Sequence, residues 1–247
     1  LEALELSRRI NYREGEIFIL RYLGILARRR KHNVVATRYY LESLDLAKQF
    51  ETEIDNDDQR AMAKMAMAAA LNNLGTAAMS EKAYDEAEKY FASCLAIDNE
   101  LNNLNGKVFR YLNLGDLYWR RGRVAWSPTN DAVAKRDWAI AKGYFEEALQ
   151  VGNNMGMKSQ VASIEKGLGD LAISEERLSE AIKQIRESFK IVIGSKITSK
   201  YVENLASAAS VFVRTTDLEV ALLFARFVSA NPKTRELEKE LADEAIE

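Results

Sequence analysis

Apolar residues recur at intervals of three and four along nearly the whole chain, and polar stretches break the pattern every fifteen to twenty residues. Within 71–98, LNNLGTAAMSEKAYDEAEKYFASCLAID, Leu71, Leu74, Gly75 and Ala78 form one stripe. Ala87, Phe91, Cys94 and Leu95 form a second, with the polar 80–85 between them. Each stripe has helical period, so the segment predicts two short helices folded back on each other. Gly75 and Ala87 are small enough to let the two backbones approach to the near end of the 8–10 Å range. Such a hairpin cannot bury its apolar face alone, which predicts a stack of hairpins.

The same marks recur in register. The interval from a Leu-Gly step to a small residue is thirteen from Leu74 to Ala87, Leu23 to Ala36, and Leu168 to Ala181. It is also thirteen from Ala208, where Ala208-Ala209 replaces the Leu-Gly step, to Ala221. From Leu114 to Ala141 it is twenty-seven, thirteen plus an insert of fourteen. Four residues beyond each small residue stand Tyr40, Phe91, Phe145, Ile185 and Ala225. Three further stand Ser43, Cys94, Ala148, Ser188 and Val228.

This pattern resembles the tetratricopeptide repeat, with its Leu-Gly step, small residue, aromatic and small residue. The expected fold is all-α: a right-handed α-solenoid of antiparallel helix pairs, about five units plus terminal helices. The units are placed at 17–50, 68–101, 108–155, 162–195 and 202–235. Residues 1–16 read as the second helix of a truncated unit, and 236–247 as a charged terminal helix. The register at Ala3 implies a fragment of a larger protein, with the start of its first unit upstream.

Two breaks in spacing stand out. Eleven extra residues precede the second unit, and Asp55-Asn56-Asp57-Asp58 forms a good helix cap for the run that follows. Met62, Met65 and Met67 lie in that run, as a pliable surface or, more simply, as filling for an elongated core seam. The fourteen-residue insert lies within 123–138 and contains a turn by composition at 127–131. Trp126 and Trp138 flank it and Trp119 lies upstream, so all three tryptophans fall close together. They either anchor the insert or present a recognition loop.

Two prolines and twelve glycines in 247 residues agree with helix nearly throughout. A formal net charge of −2 gives no general attraction to nucleic acid or anionic lipid. No apolar run of about twenty residues marks a membrane span. One cysteine excludes a disulfide framework within the chain, and a reducing, cytoplasmic setting is expected. His32 is the single histidine and has no ligand partners at metal spacing, so no metal is expected. Gly167-Leu168-Gly169 falls inside a predicted helix and is packing, not a phosphate loop. No nucleophile–base set is found, so neither catalysis nor a cofactor is expected.

Function is then expected to be binding. In tetratricopeptide stacks the first helix of each unit lines a concave groove, and the resemblance places Arg21, Arg28, Asn72, Asn73, Phe109, Asn113, Asp116, Trp119, Arg120, Lys166, Asp170 and Arg214 on it. Asn73 and Asn113 occupy equivalent places just before the Leu-Gly step. In related repeats an Asn there holds the backbone of an extended peptide. Ile25 and Phe109 stand where a chaperone-type carboxylate clamp needs Asn and Lys, so that clamp is not expected. The forty-residue units and the phrases LNNLGTAAM, LGDLYWRRG and LGDLAISEE resemble the C-terminal sensor arrays of bacterial signal-transduction ATPases. The resemblance implies a protein, peptide or small inducer in the groove, and an upstream switch domain as the internal partner. A constitutive scaffold and a peptide-pheromone-type receptor domain are the alternatives.

Overall fold

Short turns of one recurring design connect most of the helices. The computed structural model describes residues 2–129 and 131–195, with Asn204, Ser207, Ala208, Ser210 and Val211 beyond them. The terminal helix at 236–247, most of the unit at 202–235 and Arg214 lie outside the described residues.

Among the described residues there are nine helices and no strand: α1 (Glu2–Arg9), α2 (Arg13–Arg29), α3 (Asn33–Glu53), α4 (Asp57–Ser80), α5 (Tyr84–Glu100), α6 (Leu104–Ala125), α7 (Ala132–Asn154), α8 (Lys158–Ser174) and α9 (Leu178–Gly194). The class is an all-α solenoid of helix pairs. The chain divides into two compact units, Leu1–Arg110 and Tyr111–Glu247, the division falling within α6. In the first, α2 packs on α3 and α4 on α5, while α3 joins the two pairs by packing on α4. In the second, α8 packs on α9 and α7 on α8.

Six connections share one geometry. Asn11, Lys31, Lys82, Asn102, Gly156 and Glu176 each adopt the left-handed conformation, with φ between 49° and 65°. At Lys31 the next residue's N–H reaches back from His32 to the Ala27 carbonyl at 3.0 Å, and Lys31 N–H to that of Arg28 at 2.8 Å. Ala83 to Ala78 and Arg177 to Ala172 repeat the longer bond at 2.9 and 2.8 Å. This pair of bonds satisfies the orphan carbonyls of a helix end and turns the chain within three residues. The two connections that break the pattern, after α3 and after α6, are those where the sequence carries extra residues.

The extra residues are absorbed as helix. After α3, Asn56 caps α4, its side chain accepting from the Gln59 N–H at 3.0 Å. The added turns lengthen α4 at its N-terminus. The expectation that Met62, Met65 and Met67 fill a seam is corrected in part: Met67 packs on the core, but Met62 and Met65 are exposed. In the insert within 123–138 the turn expected at 127–131 falls between two helices, and most of the remaining residues are helical. Helix α6 continues to Ala125 and α7 starts at Ala132, so only a short connector lies between them.

The core consists of small residues seated against rings. A Cβ added to Gly75 would stand 2.6 Å from Phe91 Cε1, and one on Gly115 2.6 Å from Phe145 Cδ1. Gly24 faces Tyr40 in the same way, and Gly169 faces Ile185. Phe145 meets α8 as well, because a Cβ on Gly167 would lie 2.8 Å from its Cζ. Gly167 and Gly169 therefore serve packing on two opposite neighbours.

Candidate functional site

In the first unit, successive first helices lie side by side, since α2 contacts α4 directly. Their N-terminal halves and α1 enclose an open trough of about 810 Å³. Its apolar wall comes from Leu6 on α1, Ile10 and Tyr12 in the turn that follows, Phe18 on α2, and Met62 and Met65 on α4. All six are exposed. The lengthened α4 creates this wall, because both methionines lie in its added turns. Clustered apolar side chains facing water favour covering by another apolar surface, and unbranched Met adapts to the shape of what covers it.

Toward the C-terminus of α2 the same face becomes cationic. Arg21 lies over the rings of Phe18 and Tyr22, 5.4 and 5.0 Å from their centroids. Arg28 stands beside the Tyr40 hydroxyl and offsets part of the upward push that burial gives that phenol. Its Nε is buried without a hydrogen-bond acceptor. On α4, Asn72 and Asn73 are half-buried. Asn72 is engaged: its Oδ1 accepts from Arg110 Nη1.

Arg110 belongs to a buried polar network that the sequence pattern did not single out. Its Nε is 3.2 Å from Asp98 Oδ2, while Asn103 Nδ2 donates to Asp98 Oδ1 at 2.7 Å. Asn103 Oδ1 in turn accepts from the Gly106 N–H at 3.0 Å, capping the first turn of α6. Asp98 is fully enclosed, and the Arg110 guanidinium supplies its counter-charge. Phe109, next in sequence, is exposed. No period in the sequence links residues 72, 98 and 110, because the contact joins three helices.

The second unit treats its expected site residues differently. Trp119 is buried and donates from Nε1 to Ser174 Oγ at 3.0 Å. Lys166 and Asp170 are also buried and pair with each other at 2.6 Å along α8. Trp138 is 3% exposed and donates to the Trp119 carbonyl at 3.3 Å, its ring edge over Gly122. Arg121 grips fully buried Asp137 with two bonds of 2.8 and 3.0 Å. These contacts clamp the extended ends of α6 and α7 together, so Trp138 anchors the insert. Trp126, 49% exposed, is the tryptophan that solvent reaches. Asp116 and Arg120 form an ion pair at 3.0 Å, and Asn113 is half-buried beside them in sequence.

Chemically, the first unit offers an apolar trough leading into a cationic stripe. Cys94 is buried in that unit, with its thiol pushed up to about 12, so it is not a nucleophile. Among the described residues no group of three or more His, Cys, Asp or Glu side chains could hold a metal ion. No helix among them is long and apolar enough to cross a membrane.

The chain's fold is similar to the crystal structure of BtubC (BKLC) from P. vanneervenii, with a TM-score of 0.68 and 17% identity. The match covers 92% of this chain and 86% of that one. At that identity the likeness concerns fold alone. No curated protein sequence matches at a significant level. Residues 66–125, from α4 through α5 to the end of α6, match the profile of the tetratricopeptide repeat family, and that repeat is a protein-interaction fold.

Proposed function

We propose that this chain is a non-catalytic protein-binding module whose docking site is the trough of the first unit. The observation carrying this reading is a volume of about 810 Å³ walled by six exposed apolar side chains from three helices and the turn between the first two. Burial of such surface by a partner is worth roughly 25 cal/mol per Å², enough for a few anchored side chains to hold a segment in place. Met62→Glu with Met65→Glu would place two carboxylates in the wall. Partners cross-linked through a photoreactive residue at Phe18 are expected to be lost in this variant while its thermal unfolding is unchanged. Retention of the same partners would defeat the reading.

In its finer form, the module is the sensor arm of a signal-transduction ATPase, and trough occupancy biases a nucleotide-binding domain between two states. The likeness of LNNLGTAAM and LGDLAISEE to such arrays supports this. The test is whether partner binding changes ATP turnover by the whole parent protein. No change, or no ATPase domain in the parent, would leave the constitutive scaffold.

A further inference from the structure

The middle of the first hairpin, between Glu16 and Glu42, is charged unlike the chain as a whole. Residues 17–41 contain six Lys and Arg residues, at 21, 28, 29, 30, 31 and 38, and no Asp or Glu, while the full sequence carries a formal net charge of −2. The near-neutral total conceals this segregation. Among the described residues none of the six forms an ion pair with a carboxylate. The C-terminal dipole of α2 favours cations in its last turn, but this effect fades within a turn and does not reach Arg21.

Position links these cations to the trough. Phe18, Arg21, Tyr22, Ile25 and Arg28 follow helical spacing along one face of α2, and Phe18 and Arg21 both line the trough. Arg28, partly buried beside the Tyr40 hydroxyl, continues the cationic face toward the end of α2. Arg29, Arg30 and Lys31 extend the charge into solvent at the end of the helix.

We propose that the trough is occupied by a polypeptide segment of a partner protein that combines an apolar anchor with a run of Asp or Glu. The anchor fills the trough, and the carboxylates lie over Arg28 and the cations after it. This rests on the reading of the trough as a docking site. Continuity of the two features favours a polypeptide, because a nucleic-acid backbone or a lipid headgroup plane supplies charge but no apolar side chains to enter the trough. Phe18 and Arg28 are ten residues apart on one helix, about 15 Å. The acidic run is therefore about five residues from the anchor in an extended segment, or about ten in a helical one.

Selection from a library of random sixteen-residue peptides tests this, using the wild-type chain, an Arg28→Glu/Arg30→Glu/Lys31→Glu variant and the Met62→Glu/Met65→Glu variant. Wild-type selection is expected to enrich apolar clusters with Asp and Glu at that separation. The selected peptides should lose at least about tenfold in affinity on charge reversal and weaken as salt rises. Apolar peptides without excess acid, lost in the methionine variant but not on charge reversal, would overturn this inference and leave the docking site standing. Enrichment insensitive to the methionine variant, or no enrichment over an unrelated control, would overturn both. A short DNA duplex or phosphatidylserine vesicles bound more tightly than the selected peptides, with binding lost on charge reversal, would assign the cations to another class of partner and defeat the proposal.

Discussion

The Cys94 thiol donates to the backbone carbonyl of Ala68 at 3.0 Å, twenty-six residues away on the partner helix of its hairpin. Ser43 does the same to Ile17 at 3.0 Å and Ser188 to Ala162 at 2.6 Å, each across the same twenty-six residues. A small donor at one register position thus pins the second helix of three hairpins to the first. Burial holds the Cys94 thiol at about 12, leaving almost no thiolate at neutral pH. Iodoacetamide is expected to alkylate it only at the rate of unfolding, and Cys94→Ser to preserve stability. Cys94→Ala should cost about 1 kcal/mol in urea titrations.

Glycine positions on the helices should divide sharply by what their faces meet. Gly75→Ala pushes a Cβ to 2.6 Å from Phe91 and should destabilise by about 1–3 kcal/mol. Gly143 in α7 has nothing within 4 Å of an added Cβ, so Gly143→Ala should stabilise by up to about 1 kcal/mol. Thermal unfolding of the two variants would show shifts of opposite sign.

The left-handed turn residues give a paired test. Lys82 holds φ at 59° without being glycine, so Lys82→Gly should stabilise by about 0.5–1 kcal/mol. Gly156 occupies the equivalent turn at φ 65°, and Gly156→Ala should cost about 1 kcal/mol. Urea midpoints would compare them directly.

Asp137 is fully buried and paired with Arg121. Asp137→Ala removes both bonds that the partly exposed Arg121 makes to the buried carboxylate and should cost about 1–3 kcal/mol. Because Trp138 and Asp137 anchor the insert, the loss should appear in unfolding curves.

Glu165 carries a carboxyl raised above its ordinary value by burial, with the negative charge of Glu187 adding to the effect and Lys183 opposing it. The folded state holds this proton more tightly than the unfolded chain does. Its contribution is therefore full below the ordinary carboxylate value near 4.5 and lost as pH rises through the raised value. Glu165→Gln should be more stable than wild type at neutral pH and equal to it in acid. A gap that widened on acidification would contradict this sign.

Much of the fold was legible because a repeat writes the same contact several times. The thirteen-residue interval locates Gly24 and Gly75, which receive the rings of Tyr40 and Phe91, and the mark seven beyond the small residue finds Ser43, Cys94 and Ser188. The fourteen-residue insert was visible as a break and a turn, but not as an extension of α6 and α7. Its turn composition at 127–131 is local, whereas the grip of Arg121 on Asp137 and the Trp138 bond to Trp119 are contacts between α6 and α7. Likewise, Lys166 and Asp170 read as polar groove residues but pair with each other inside the unit.

By itself, the sequence determined helix, pairing and register, because period, small-residue spacing and turn chemistry are properties of neighbours along the chain. It also contained the acid-free stretch at 17–41, hidden only by summing charge over the whole length. Tertiary structure decided which side chains are spent on the protein and which are left for a partner. Arg110, Asp98 and Asn72 meet from α6, α5 and α4, and Leu6, Phe18 and Met62 form one wall from α1, α2 and α4. Such meetings depend on how packed helices are placed side by side, and no one-dimensional period encodes them.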